Sequence, residues 1–337
     1  QSLPFLIGVI FLMSVQSAFF SPSKYGLLPE MLPEEKLSWG NGILGLGTFV
    51  AIISGSATAG VLSDKLGPDR WYAGFLLIVL AGVGFATSHG ILRLPPADPH
   101  KKFQLNFLDD LAKNFGKIRK DRVLTLAILG STYFWFLGAL FGEPTILLYG
   151  KDVLDLTDTQ ISLLRACLAI GIGLGSAAAG ILSGKKIEYG LVPLGALGLA
   201  AMAGLLAIPD LTYQSVQIML GILGFSGGFF IVPLMALVQQ RPRPEEKGSI
   251  IATNSWLTSV GVMLAAGAFW ILRNPLGFSP GQIFLLGSVI TLAATMYAVR
   301  LVPDSLVRLM IWMLTYTFYR VRVRGRENIP ERGGALF

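Results

Sequence analysis

The stretch "SAFFSPSKYGLLPEMLPEEKLSWGNG", residues 17–42, ends one apolar run, passes through Pro33-Glu34-Glu35-Lys36 and starts a second run rich in Gly, Ala and Ser. The same Pro-Glu-Glu-Lys returns at Pro244–Lys247, 211 residues later, again between two apolar runs. At that offset Pro22 falls on Pro233 and Ser38 on Ser249. A four-letter match carries little alone. A matched order of events on both sides of it predicts a duplicated architecture.

Composition sets the class in which that duplication is read. Of 337 residues, 53% are hydrophobic and 14% charged, with 40 glycines. A soluble domain carries about a quarter charged residues, so roughly half the usual charge is missing. What charge there is bunches between long apolar runs, the mark of a polytopic helical membrane protein. The single Cys167 lies inside an apolar run, which leaves no disulfide framework and no metal-ligand spacing. The net charge of +7 sits in loops beside the apolar runs and reads as topology information rather than as a nucleic-acid surface. No phosphate-binding loop is present, and no cofactor is expected.

Nine segments reach roughly the 17–25 residues that cross a bilayer, near 4–20, 40–62, 70–89, 124–147, 160–183, 187–208, 212–238, 249–272 and 279–300. The 90–122 connection carries eight Lys or Arg, from Arg93 to Arg122, and is therefore expected on the cytoplasmic side. The remaining loops alternate in agreement: Lys185 and Lys186, then Arg241, Arg243 and Lys247, and the basic tail from Arg320 fall inside. This places both Pro-Glu-Glu-Lys loops inside and the amino terminus of the chain outside.

Four spans precede the second Pro-Glu-Glu-Lys and two follow it; two follow the first, but only one precedes it. If the halves are copies, three spans are missing at the front. Six plus six helices joined by a basic cytoplasmic loop is the plan of major facilitator transporters, whose halves are parallel repeats. The expected fold is an all-α polytopic membrane protein, a major facilitator fold lacking about three N-terminal helices. Its expected parts are the end of a first half (1–90), a central loop with an amphipathic helix (91–122), a second half of six spans (123–302) and an interfacial helix opening a further domain (303–337).

Through Ser21-Pro22-Ser23-Lys24-Tyr25-Gly26, with Asn41-Gly42 opening the next helix, the chain resembles the bacterial lysophospholipid transporters of the major facilitator superfamily. That resemblance implies inward movement of lysophosphatidylethanolamine and related lipids across the bacterial inner membrane, for re-acylation, by alternating access. The tail "RVRVRGRENIPERGGALF" (320–337) resembles the opening of a glycerophospholipid acyltransferase domain, whose Asn-His-x-x-x-x-Asp motif is not reached by Phe337. It implies an acyltransferase partner in cis, and a rival reading in which the spans anchor that enzyme. No catalytic constellation lies in the chain itself. A drug or sugar facilitator would show polar or acidic residues along its spans, and these spans are nearly bare of them.

Ionisable groups within spans cost about 2.5–3.5 kcal/mol on insertion scales, so each needs a reason. Glu143, in "FGEPTILLYG", and Arg165 lie near the outer ends of consecutive antiparallel spans. They form either a cavity-facing pair in which the guanidinium takes a lipid phosphate, or a structural or snorkelling pair. Pro144 disfavours regular helix beside Glu143. Lys24 and Tyr25, where the first span is expected to leave the membrane, are either head-group contacts at a gate or interfacial anchors. Asn41 and Asn254 open the helices after the two loops; each is either a cavity group or, by default, a cap. Gly60, Asp64, Lys65, Gly67 and Arg70 in "GVLSDKLGPDR" fit the superfamily's Gly-x-x-x-Asp-Lys-x-Gly-x-x-Arg loop, which implies a structural or gating role, although loop charge places this copy outside. Residues 103–121 put Phe103, Phe107, Leu108, Leu111, Phe115 and Ile118 on one helical face, expected to lie on the leaflet and tie the halves together. Residues 306–324 read as a second interfacial helix.

Overall fold

The computed structural model describes residues 3–66, 71–91, 107–184 and 186–301, and among them all regular structure is helical. The order is α1 (Leu3–Met31), α2 (Leu37–Leu66), α3 (Trp71–Ser88), α4 (Phe107–Ile118), α5 (Arg122–Leu140), α6 (Ile146–Leu148), α7 (Asp158–Ser183), α8 (Leu191–Leu205), α9 (Tyr213–Gln240), α10 (Lys247–Arg273) and α11 (Pro280–Leu301). Seven helices are long and apolar enough to cross a membrane, counting Arg122–Val153 as one, and the shorter apolar Gly74–Ser88 and Leu191–Leu205 accompany them. These nine correspond to the nine expected segments. The tail 302–337, with its expected interfacial helix, lies outside the described residues, as do Gly67–Arg70 and the side chains of Asp64 and Lys65.

Both Pro-Glu-Glu-Lys segments fold alike, as a single 3-10 turn leading straight into a long helix. The turns cover Glu34–Lys36 and Pro244–Glu246, and the residue before each, Pro33 and Arg243, has φ −62° and ψ 152°. The second turn starts one residue earlier in its motif, so the backbone repeat runs one residue out of step with the letters.

The first span corrects its expected end. α1 continues through Pro22 and Pro29 to Met31, so Lys24 and Tyr25 lie inside the helix rather than at its exit. Twenty-nine residues make about 44 Å of helix at ~1.5 Å per residue, more than the hydrocarbon thickness of about 30 Å. The long α5 also continues past a proline. Pro144 has no N–H for the Leu140 carbonyl, and the chain widens into a π turn at Phe141–Thr145, where the Thr145 hydroxyl donates to Leu140 O at 2.5 Å. α6 and a second π turn, Tyr149–Val153, complete this helix.

Capping fixes other ends. Asp121 accepts from the N–H groups of Val123 and Leu124 to start α5, and Thr157 with Gln160 forms a capping box on α7. The principal seam runs between α7 and α9, where backbones touch. A Cβ on Gly175 would strike the Phe225 carbonyl, and one on Gly228 would strike the Ser176 N–H. α2 packs on α7 in the same manner through Gly42, Gly45, Ser176 and Gly180. α5 packs on α10, and α8 against α9 and α11.

One end of the bundle collects both 3-10 turns and α4. Arg241 forks onto Asp121 (2.9 and 3.1 Å), Lys117 pairs with Glu246 at 3.0 Å, and Gln240 donates to Glu34 at 3.1 Å. Partial burial would raise the Asp121 pKa, but the Arg241 hydrogen bond and charge, with the two backbone N–H groups, outweigh this and hold it below the usual carboxylate value. α4 turns its apolar face onto the bundle. Its apolar face includes Asn114, which donates to Thr253 Oγ1 (2.9 Å) and Ser249 O (3.2 Å), so α4 docks on α10, with α5 as its other main neighbour among the described residues. A buried amide needs such partners and cannot lie against acyl chains. The opposite end carries Lys151–Asp158 at 2.8 Å, Arg273–Asp152 at 2.6 Å and Arg165–Glu143 at 2.9 Å.

Candidate functional site

Two chambers lie on either side of the α5–α10 seam. The smaller, about 350 Å³, is walled by α5, α7 and α9 with Phe49 of α2; Phe134, Phe141, Leu168, Ile172 and Leu223 make it apolar. Its one charged lining residue is Arg165. The guanidinium meets Glu143 Oε1 at 2.9 Å, which brings the two expected partners together across the α6–α7 turn. The partnership is lopsided: the Glu143 side chain is 76% exposed and that of Arg165 31%. An exposed pair of this kind contributes only about 0–1 kcal/mol. Among the described residues Arg165 Nε is buried with no hydrogen-bond partner.

The larger chamber, about 790 Å³, lies between α1 and α10, with Trp135 of α5 and Met235 of α9. Ser14, Ser17 and Ser21 line it from α1, and Asn254, Ser255 and Ser259 from α10. Asn254 overturns its expected capping role. It is the eighth residue of α10, 1% exposed, and accepts from Ser131 Oγ at 2.6 Å. Its amide N–H reaches Met235 Sδ at 3.9 Å.

Asn41 is not a cap either. It is the fifth residue of α2, buried, and exchanges hydrogen bonds with Gln239 of α9: Asn41 Nδ2 to Gln239 Oε1 at 2.6 Å, and Gln239 Nε2 to Asn41 Oδ1 at 3.1 Å. Gln239 Nε2 also donates to Tyr25 O at 3.1 Å, and Tyr25 itself lines the larger chamber. This amide pair joins α2 to α9 beside Tyr25. Lys24 points elsewhere, donating to Thr48 Oγ1 of α2 at 2.8 Å in an otherwise apolar groove between α1 and α2.

Gln239 and Ser131 did not emerge from the sequence. Gln239 immediately precedes "QRPRPEEK" and reads as the polar margin of a loop. Ser131 is a single hydroxyl in an apolar run, of the kind that satisfies its own helix backbone. Trp135 gives no sequence signal beyond its size.

Residues 1–266 match the family model of the Major Facilitator Superfamily, and the chain belongs to that family as a multi-pass membrane protein. Within it, the chain is 30% identical over 267 residues to the lysophospholipid transporter LplT of Klebsiella pneumoniae (strain 342), covering 77% of this chain and 64% of that protein. It is 29% identical over 264 residues to LplT of Photorhabdus laumondii, with the same coverages. It is 28% identical over 291 residues to LplT of Escherichia coli O157:H7, covering 82% of this chain and 70% of that protein. The chain thus spans about 64% of the length of the first two relatives.

Proposed function

We propose that this protein moves lysophospholipid inward across a bacterial inner membrane by alternating access, with Arg165 receiving the phosphate and the adjoining apolar chamber receiving the acyl chain. One observation carries the reading: a guanidinium with a buried, unpartnered Nε in the wall of a chamber whose other walls are apolar. Guanidinium suits a phosphate bidentately, and Glu143 holds the place until the substrate arrives. The names of the relatives support the substrate class. Charge in the loops supports a cytoplasmic location for the end that bears the 3-10 turns, with α1–α3 and α5–α11 belonging to two halves that rock about the chambers. Lys24 is then a head-group contact along the α1–α2 groove, and the segment beyond residue 302 leads into an acyltransferase that consumes the transported lipid.

The test is uptake of labelled lysophosphatidylethanolamine into oriented vesicles containing the full gene product, beside Arg165→Ala, Arg165→Lys and an acyltransferase-disabled variant. Uptake that survives loss of acylation, collapses with Arg165→Ala and is partly kept by Arg165→Lys supports the proposal. Acylation of lipid already inside, with no crossing, overturns it in favour of a membrane-anchored enzyme.

A further inference from the structure

The two chambers share a wall. Trp135 of α5 and Val262 of α10 line both. The seam behind them is tight, since a Cβ on Gly261 would come within 3.0 Å of Thr132, one turn before Trp135. The indole stands edge-on to Phe134, with ring centroids 5.7 Å apart. We propose that Trp135, backed by Val262, restricts this site to lipids with a single acyl chain; the inference rests on the lysophospholipid reading above.

The smaller chamber, at about 350 Å³, is near the low end of the ~300–1,000 Å³ usual for ligand sites. With the phosphate at Arg165, one chain fills it. A second chain springs from the same glycerol, so its first carbons meet the indole. The space beyond is large enough and partly apolar, through Ile10, Met13 and Trp256, but the wall denies access to it. Truncating the indole joins the chambers and gives the second chain its own route.

The experiment is displacement of a fluorescent single-chain phospholipid from the purified full-length protein by unlabelled lysophosphatidylethanolamine or by diacyl phosphatidylethanolamine of equal chain length. Wild-type protein is expected to respond to the first and not the second. Trp135→Ala is expected to gain affinity for the diacyl lipid by about tenfold or more, equivalent to about 1.4 kcal/mol, with the single-chain affinity nearly unchanged. Val262→Ala, a gentler change for folding, moves the same way by less. Trp270→Ala, at an exposed position that lines neither chamber, behaves as wild type. Wild-type protein that binds both lipids equally, or variants that still refuse the diacyl lipid while binding the single-chain one, overturn the partition and leave the transport reading standing. Failure of wild-type protein to bind either lipid sinks both.

Discussion

Asn41 and Gln239 sit 198 positions apart in the chain, yet their amides exchange two hydrogen bonds, at 2.6 and 3.1 Å, in a site where each is at most 5% exposed. The pair joins α2 to α9 and, through Tyr25 O, takes in α1. If the proposed halves rock apart at this end, this contact must break. Removing one partner strands the other at about 1–3 kcal/mol. Asn41→Ala is therefore expected to shift the population toward the state open at this end. The check is thiol labelling of Ser38→Cys in a Cys167→Ser background, which should speed up with Asn41→Ala. Unchanged labelling would rule out a latch here.

In the proposed function Glu143 competes with substrate for Arg165. Glu143→Gln removes the resident anion and is expected to tighten binding of a single-chain phospholipid by up to about fivefold, the scale of an exposed ion pair. Equilibrium binding to wild type and variant gives the answer. Weaker binding in the variant would mean that Glu143 positions Arg165 rather than competing for it.

The α7–α9 seam depends on the absence of side chains. Gly175→Ala places a methyl group against the Phe225 carbonyl, and overpacking of this kind costs about 1–3 kcal/mol, so the melting temperature in detergent should fall. Gly116→Ala in α4 meets no atom within 4 Å and gains helix propensity of up to about 1 kcal/mol. It should be neutral or stabilising.

Asp121 combines a cap with an ion pair. Asp121→Ala is expected to cost about 1–2 kcal/mol near neutral pH, most of it from the cap, since the Arg241 pair is partly exposed and screened. Because the folded carboxyl has its pKa lowered from 3.8, its contribution is complete above that value. It fades as pH falls through the lower folded value. The gap in thermal stability between wild type and variant should therefore be constant at neutral pH and narrow only in strong acid. A gap that narrows between pH 7 and pH 5 would contradict this.

The order of spans was legible because each is a long apolar run, and the loop charges marked which ends share a face. The 3-10 turns were legible because Pro-Glu-Glu-Lys recurs in matched surroundings. The end of α1 was not, since Pro22 and Lys24 ordinarily mark a margin. Here neighbouring helices tolerate the prolines, and Thr48 receives the ammonium. Arg165 and Glu143 stood out because charge within a span is costly. Asn41 and Asn254 were visible as residues but misleading as caps, because an Asn near a helix start looks the same whether it faces its own backbone or a partner far along the chain. Gln239 was hidden for the same reason, its partner being fixed only by the α2–α9 approach.

The α2–α7 contact is built on Gly42, Gly45, Ser176 and Gly180, with Leu46 and Phe49 laid against the bare backbone of Gly173. Two such surfaces can turn against one another with few rotamers to reset, like a smooth bearing rather than a gear. Little of the resistance to motion then resides in the hinge. In the proposed alternating-access cycle it concentrates in the few polar contacts at the rim, so a single substitution there retunes how long each face of the membrane is offered an open site.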